Sequence, residues 1–147
     1  MTPKRELLRR GSIRFSKFSM VGFTNALVDI GTLNLLLWLA PTREAWLLAV
    51  YNAVALILAN INSYFGNTFW TFRGRANHNR RQTSLFLLQA LANIAVSNGL
   101  FYMLVRTLLI YDVVPGWIAG NVAKVISIAV ASVMSFFLMR YLVFSQK

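Results

Sequence analysis

Two charged side chains stand inside long apolar stretches of this chain, and they are the residues best suited to chemistry. Asp29 lies in the first apolar stretch and Lys124 in the last. A charge near the bilayer centre costs about 2.5 to 3.5 kcal/mol on the insertion scale, so each should face a partner or a wet cavity. We predict that the two line one open interior cavity, either paired directly or separated by a bound headgroup. The alternative is a buried salt bridge that only fixes helix register.

Polar side chains accompany the two charges. Asparagines and serines recur at helical spacing in the apolar stretches, which places them on shared helix faces. Such amides can simply hold helices together, with an average stabilisation of about 0.6 kcal/mol each. Helix contact and ligand binding are therefore both possible roles for them. The candidate substrate-binding residues are Asn25, Asp29, Asn52, Asn60, Ser63, Asn67, Asn93, Lys124, Ser135 and Arg140. Arg140 has the alternative of reaching back to the inner headgroups.

Few residues could support catalysis or metal binding. The chain has no cysteine, one histidine and four carboxylates, which excludes disulfides, thiolate metal sites and most acid/base or triad arrangements. We therefore expect no enzymatic activity, no metal and no cofactor. The net charge of +11 raises nucleic acid as a partner, but the basic residues form short clusters beside apolar stretches and leave no polar domain to bind it.

Four apolar stretches are long enough to cross a bilayer, which takes about 20 residues. The hydrophobic content of 57% and the mean hydropathy of +0.56 exceed what a soluble domain of 147 residues needs. We predict spans at about 18–39, 45–72, 84–110 and 117–144. The predicted fold is therefore an all-α integral membrane protein with four transmembrane helices. The first span is long enough to be a retained anchor rather than a cleaved signal peptide.

The spans group into two hairpins. We predict a basic cytoplasmic arm (1–17), a first transmembrane hairpin (18–72), a basic cytoplasmic loop (73–83) and a second hairpin (84–147). Lysine and arginine are abundant in the arm and the middle loop and scarce in the opposite turns, and cytoplasmic loops carry that excess. Both chain ends should therefore be cytoplasmic, with the arm on the lipid surface, held by anionic phospholipids.

The two hairpins also resemble each other in sequence. Residues 63–72 align without gaps on 135–144 and share a serine, aromatic residues and the closing phenylalanine. The same numbering offset aligns Asn52 with Lys124, and a slightly different offset aligns the first helix of one hairpin with the first helix of the other. Because both hairpins begin on the same side, we predict parallel copies related by an axis along the membrane normal. The alternative is that apolar helices align by composition alone.

Three motifs give the chain a family resemblance over nearly its whole length. They are Phe-x-x-Val-Gly-x-x-Asn-x-x-Val-Asp at 18–29, Ser-x-x-x-Asn-x-x-Trp-Thr-Phe at 63–72, and Lys-x-x-Ser with Ser-Phe-Phe-x-x-Arg-Tyr-x-Val-Phe at 124–144. The chain resembles GtrA-like proteins, and the resemblance places family positions on Asp29, Lys124 and Asn67. It departs from the family at Thr68, where a basic residue is common, and at Met139, where the second copy lacks the asparagine.

The resemblance implies flipping of polyprenyl-phosphate-linked monosaccharides across the bacterial inner membrane, for cell-surface polysaccharide synthesis or modification. The expected partners are that sugar lipid and anionic phospholipid, with a membrane glycosyltransferase and a second copy of the chain as further candidates. Two rival functions stay open. One is a four-helix cation or drug exporter, which the charge of Lys124 disfavours, and the other is a non-transporting scaffold for a glycosyltransferase.

Overall fold

The computed structural model describes residues 3–71, 80–112 and 114–138. Over these residues the chain forms four α-helices and no strand: α1 (Pro3–Leu39), α2 (Ala45–Gly66), α3 (Arg80–Ile110) and α4 (Gly116–Leu138). A π-helical turn, Asn67–Thr71, extends α2. Segments long and apolar enough to span a membrane are Ser16–Leu39, Ala45–Trp70, Leu87–Ile110 and Gly116–Met134. The predicted all-α fold with four transmembrane helices is confirmed.

The outer surface of the bundle suits contact with lipid. Large apolar side chains such as Phe23, Leu91 and Met103 are exposed around its circumference. In water so much exposed apolar area would lead to aggregation, whereas hydrocarbon tails solvate it. The buried positions are correspondingly few, so the interior of the bundle is narrow.

Two helices begin earlier than predicted. The basic arm and the first span form one continuous helix of 37 residues. At about 1.5 Å per residue it is roughly 55 Å long, well beyond the hydrocarbon thickness of a bilayer. The last residues of the predicted loop 73–83 belong to α3, which begins at Arg80, because arginine is a good helix former. Residues 72–79 and the predicted end of the fourth span after 138 lie outside the described residues.

The turns of the two hairpins meet at one end of the bundle, which we call the turn end; the opposite end, which carries the arm, is the arm end. Arg43, in the first turn, forms an ion pair with Asp112, in the second. Gly116 packs so closely on the first turn that a Cβ there would lie 3.0 Å from the Thr42 carbonyl oxygen. The two hairpins therefore run parallel, as the repeat predicts.

Burial repeats between the two hairpins. A shift of 68 residues aligns α1 with α3, and a shift of 72 aligns α2 with α4. Seven pairs of aligned positions are buried in both copies: 29 and 97, 33 and 101, 37 and 105, 48 and 120, 52 and 124, 55 and 127, and 59 and 131. Alignment by apolar composition alone does not specify which positions are buried. The pattern therefore supports a duplicated hairpin.

The apolar core is concentrated at the turn end. One buried cluster comprises Leu33, Leu37, Leu48, Ala55, Phe101, Val105 and Ala123. Toward the arm end the buried apolar residues are Leu56, at about the level of Ser127, and the smaller Val21, Ala59, Ala90 and Ala131. Bulky side chains thus seal the bundle at the turn end, whereas mostly small and polar side chains line the other half.

Candidate functional site

A buried ion pair connects the two hairpins. The Lys124 ammonium, on α4, pairs with the Asp29 carboxylate, on α1, and donates a second hydrogen bond to Asn52 Oδ1, on α2, at 2.6 Å. Asn52 Nδ2 in turn donates to Asn98 Oδ1, on α3, at 2.8 Å. Each helix therefore contributes one polar side chain to a single network, which we call the central network.

The central network is closed to solvent. Lys124 is 1% exposed, Asp29 4% and Asn52 0%. We predicted an open cavity in which the two charges pair directly or are separated by a headgroup. The charges do pair directly, but the surrounding helices cover them and leave the pair closed. Buried charges are tolerated where the geometry is good and further hydrogen bonds satisfy the remaining groups, and the amide of Asn52 provides such a bond.

Small residues of α4 bring Lys124 close to its partners. Ala119 and Ala123 are both fully buried beside it. A Cβ at Gly120 would meet Leu37 Cδ1 at 3.6 Å and Leu48 Cδ2 at 3.9 Å, so α4 lies directly against side chains of both helices of the first hairpin. The absence of large side chains on this face lets the helices approach until the lysine reaches across.

A pair of amides closes the network on the side of the turn end. Asn34 Nδ2 donates to Asn121 Oδ1 at 2.8 Å, and Asn121 Nδ2 donates back to Asn34 Oδ1 at 2.9 Å. Asn121 precedes Lys124 by three residues, about one helical turn. The reciprocal bonds join α1 to α4 and leave no amide oxygen of the pair unsatisfied.

Further polar contacts continue toward the arm end. Asn62 Nδ2 donates to Asn25 Oδ1 at 2.7 Å and thereby joins α2 to α1. Asn67, in the π-helical turn, donates to Ser63 Oγ at 3.2 Å. The buried Asn67 Oδ1 has no hydrogen-bond partner among the described residues. A polar ladder thus extends from the central network along the first hairpin.

Two further predicted site residues, Asn60 and Asn93, take no part in these contacts among the described residues. Asn60 Nδ2 donates to the Leu56 carbonyl oxygen of its own helix, which is a helix-internal role. Asn93 is half-buried on α3. Ser135 lies in α4, but its side chain is outside the described part, as is the whole of Arg140. That these residues bind substrate stays a prediction.

Sequence reasoning missed four polar residues of the interior, namely Asn34, Asn62, Asn98 and Ser127. The helical stripe that includes Asn25 and Asp29 does not include Asn34, and the repeat aligns Asn98 with an isoleucine. Ser127 stands in the Lys-x-x-Ser motif and could have been found from it. It is fully buried, and its hydroxyl has no partner within the described ranges.

The polar groups of this site are of a kind that binds ligands. The described residues contain no cluster of three histidine, cysteine, aspartate or glutamate side chains that could hold a metal. The central network offers one ammonium group, one carboxylate and two amides, and the polar ladder adds further amides and the hydroxyl of Ser63. Such groups can neutralise an anion and replace water around a polar headgroup.

Comparison with known proteins places this arrangement in a family. Residues 17–144 match the family described as "GtrA/DPMS, transmembrane domain", a match that includes all four spans and the whole central network. No curated protein and no solved structure shows significant similarity to the chain. The predicted resemblance is confirmed, and the chain belongs to the GtrA/DPMS transmembrane domain family.

Proposed function

We propose that the protein translocates a polyprenyl-phosphate-linked monosaccharide across the bacterial inner membrane, for synthesis or modification of cell-surface polysaccharide. The observation that carries the proposal is the buried Lys124, held between two transmembrane hairpins by Asp29 and Asn52. Membership of the GtrA/DPMS family supports a membrane protein of this class and is consistent with a non-enzymatic role.

A lipid-linked sugar must move a phosphate and several hydroxyls through hydrocarbon while its long tail stays in lipid. Lys124 provides the charge that neutralises the phosphate, since a buried anion is tolerated only when paired. The amides of the polar ladder, such as Asn25 and Asn62, replace water at the hydroxyls. The interior of the bundle thus takes over the solvation that the headgroup loses on leaving water.

The ion pair also supplies a link between binding and movement. Asp29 belongs to the first hairpin and Lys124 to the second, so their contact ties the hairpins together at mid-bundle. A phosphate that binds the Lys124 ammonium shares its positive charge with the Asp29 carboxylate and thereby weakens the ion pair. Binding therefore loosens the tie, and a movement of one hairpin against the other changes the side from which the site is reached.

The orientation follows from the basic residues. We place the arm end in the cytoplasm, because lysine and arginine concentrate there. Lys17 lies with its ammonium 5.8 Å from the centroid of the Trp70 ring, at the end of the second span. This contact holds the arm against the first hairpin, where anionic phospholipids attract it. A membrane glycosyltransferase then uses the sugar lipid on the far side.

The positive charge of Lys124 argues against the cation exporter, because it repels cationic substrates. Asp29, the only carboxylate inside the described spans, already pairs with an ammonium group of the protein itself. A cationic drug would have to displace Lys124 and then remain beside its positive charge. The scaffold hypothesis differs from the flippase in one measurable property, because a scaffold moves no lipid.

The test uses purified protein in vesicles that contain a polyprenyl-phosphate-linked hexose. A membrane-impermeant reagent that modifies the sugar reports the outer-leaflet fraction over time. We expect nearly complete modification with protein and about half without it. A fluorescent phosphatidylcholine serves as the control lipid and should not move. Equal time courses with and without protein would contradict the proposal and favour the scaffold.

A further inference from the structure

Ser127 carries a hydroxyl that the fold leaves unused. Its side chain is fully buried, and its Oγ has no hydrogen-bond partner among the described residues. Serine and threonine in helices commonly bond back to the carbonyl oxygen four residues earlier. Thr107 and Ser132 do so here, at 2.8 and 2.7 Å. A buried hydroxyl without such a bond is unfavourable, so its retention calls for a ligand.

Ser127 lies one helical turn from the residue that carries the buried cation. Ser127 follows Lys124 by three residues, so both side chains project from the same face of α4. The Lys124 ammonium has three protons to donate, and the structure shows acceptors for two of them, Asp29 and Asn52. Among the described residues no third acceptor contacts the Lys124 ammonium. Two hydrogen-bond donors on one helix face are therefore available to an anionic oxygen.

The position of Ser127 also indicates how a ligand reaches it. On the turn-end side of Lys124, the Asn34 and Asn121 amides and the apolar cluster close the bundle. Ser127 lies on the opposite side, about one turn nearer the arm end. The second unpartnered buried atom, Asn67 Oδ1, lies farther along in that direction. Both unsatisfied groups thus lie in the half of the bundle that small and polar side chains line.

We propose that Ser127 and Lys124 together bind the phosphate of a lipid headgroup that arrives from the arm end. The serine hydroxyl donates to one phosphate oxygen, and the ammonium donates to another and neutralises the charge. The repeat makes this a property of the second hairpin alone, because the position equivalent to Ser127 is Ala55. This assignment rests on the proposed function and adds to it a phosphate ligand and a side of access.

The test measures binding of polyprenyl phosphate in detergent micelles from the rise in the thermal midpoint of the full chain. In Ser127→Ala the half-saturating concentration should rise about tenfold or more, as expected for one lost hydrogen bond to a charged group. The midpoint without ligand should be unchanged or higher, because an unpartnered hydroxyl has been removed. Ser127→Thr keeps the hydroxyl and should bind like the wild type.

Ser132→Ala is the matched control, since that hydroxyl is exposed and bonded within its own helix. It should bind like the wild type. Phosphatidylglycerol is titrated in parallel, so that the phosphate of an ordinary phospholipid is distinguished from that of the polyprenyl carrier. Weaker binding of either lipid by Ser127→Ala supports the site, and the lipid affected identifies the source of the phosphate.

Two results overturn the assignment. Equal binding by the wild type and Ser127→Ala shows that the hydroxyl does not contact the ligand, and leaves the proposed function intact. A lower midpoint of ligand-free Ser127→Ala shows a structural hydroxyl instead. If the wild type binds neither lipid, the proposed function fails together with this assignment. The wild-type titration therefore distinguishes a failure of the proposed function from a failure of this assignment alone.

Discussion

Asn52 and Lys124 occupy equivalent positions in the two hairpins, and their side chains contact each other, with 2.6 Å between Oδ1 and Nζ. Residues related by a two-fold axis can touch each other only near that axis. The predicted axis between the hairpins therefore passes through the central network. The two copies have diverged at this point, because one provides an amide and the other a cation.

This relationship predicts that the cation can be moved to the other hairpin. In the double variant Asn52→Lys with Lys124→Asn, a lysine still lies near the axis and close to Asp29. We expect the double variant to recover more than about half of the free energy of unfolding lost in Lys124→Asn alone, since a buried pair is restored. Thermal midpoints in detergent measure this. A double variant no more stable than Lys124→Asn would show that a lysine at position 52 does not reach Asp29.

The ion pair should be strongly coupled. Asp29→Asn or Lys124→Met alone leaves one buried charge without its partner, which destabilises a protein by about 3 to 5 kcal/mol. The double variant Asp29→Asn with Lys124→Met removes both charges and should be close to the wild type in stability. A double-mutant cycle on thermal or denaturant unfolding checks this. Additive losses would show that the two side chains do not interact.

Much of the fold could be predicted because transmembrane helices obey strong local rules. Span length, loop charge and the internal repeat predict four helices in two parallel hairpins. The helix that begins at Pro3 was harder to foresee, since the polar arm and the apolar span differ in composition yet share one backbone conformation. Helix continuity depends on backbone hydrogen bonds, which composition does not reveal.

The site was only partly predictable. The cost of burying charge predicted that Asp29 and Lys124 face the interior, but whether they pair directly depends on how closely α1 and α4 approach. The sequence also could not tell which asparagines join helices. Asn52 contacts two other helices whereas Asn60 bonds to its own, although both lie on one stripe. That difference is set by which neighbour lies opposite each residue.

A disulfide at the turn end should block transport. A Cβ at Gly116 would lie 3.7 Å from Arg43 Cα, so cysteines at these two positions are close enough to bond. The chain has no native cysteine to interfere. We expect the oxidised Arg43→Cys, Gly116→Cys protein to translocate sugar lipid at less than about a tenth of its reduced rate, because the hairpins can no longer separate there. Vesicle assays with and without reductant measure it.

The single variants Arg43→Cys and Gly116→Cys are the controls. Gly116→Cys shows whether the Thr42 carbonyl oxygen, 3.0 Å from the added Cβ, tolerates the side chain, and oxidant should leave both rates unchanged. If the crosslinked protein, identified by loss of maleimide labelling, transports as fast as the reduced form, then the turn end does not open during transport.

The topology can be tested with the same cysteine-free background. Tyr111→Cys lies at the turn end and Arg9→Cys on the arm, and both positions are exposed. In intact bacterial cells an impermeant maleimide should label Tyr111→Cys, whereas Arg9→Cys should react only after the inner membrane is permeabilised. The reverse pattern would place the arm outside.

The central claim is that Lys124 handles a charged headgroup rather than merely stabilising the fold, and one transport measurement tests it most directly. The Asp29→Asn, Lys124→Met variant lacks the buried cation without leaving an unpaired charge, so its stability should match the wild type. Translocation of polyprenyl-phosphate-linked hexose is compared in vesicles that hold equal amounts of each folded protein, with Ser132→Ala as a further control. We predict that the double variant translocates at less than about a tenth of the wild-type rate, since a buried charge contact with the ligand is lost. A double variant that is stable and translocates as fast as the wild type would contradict the account.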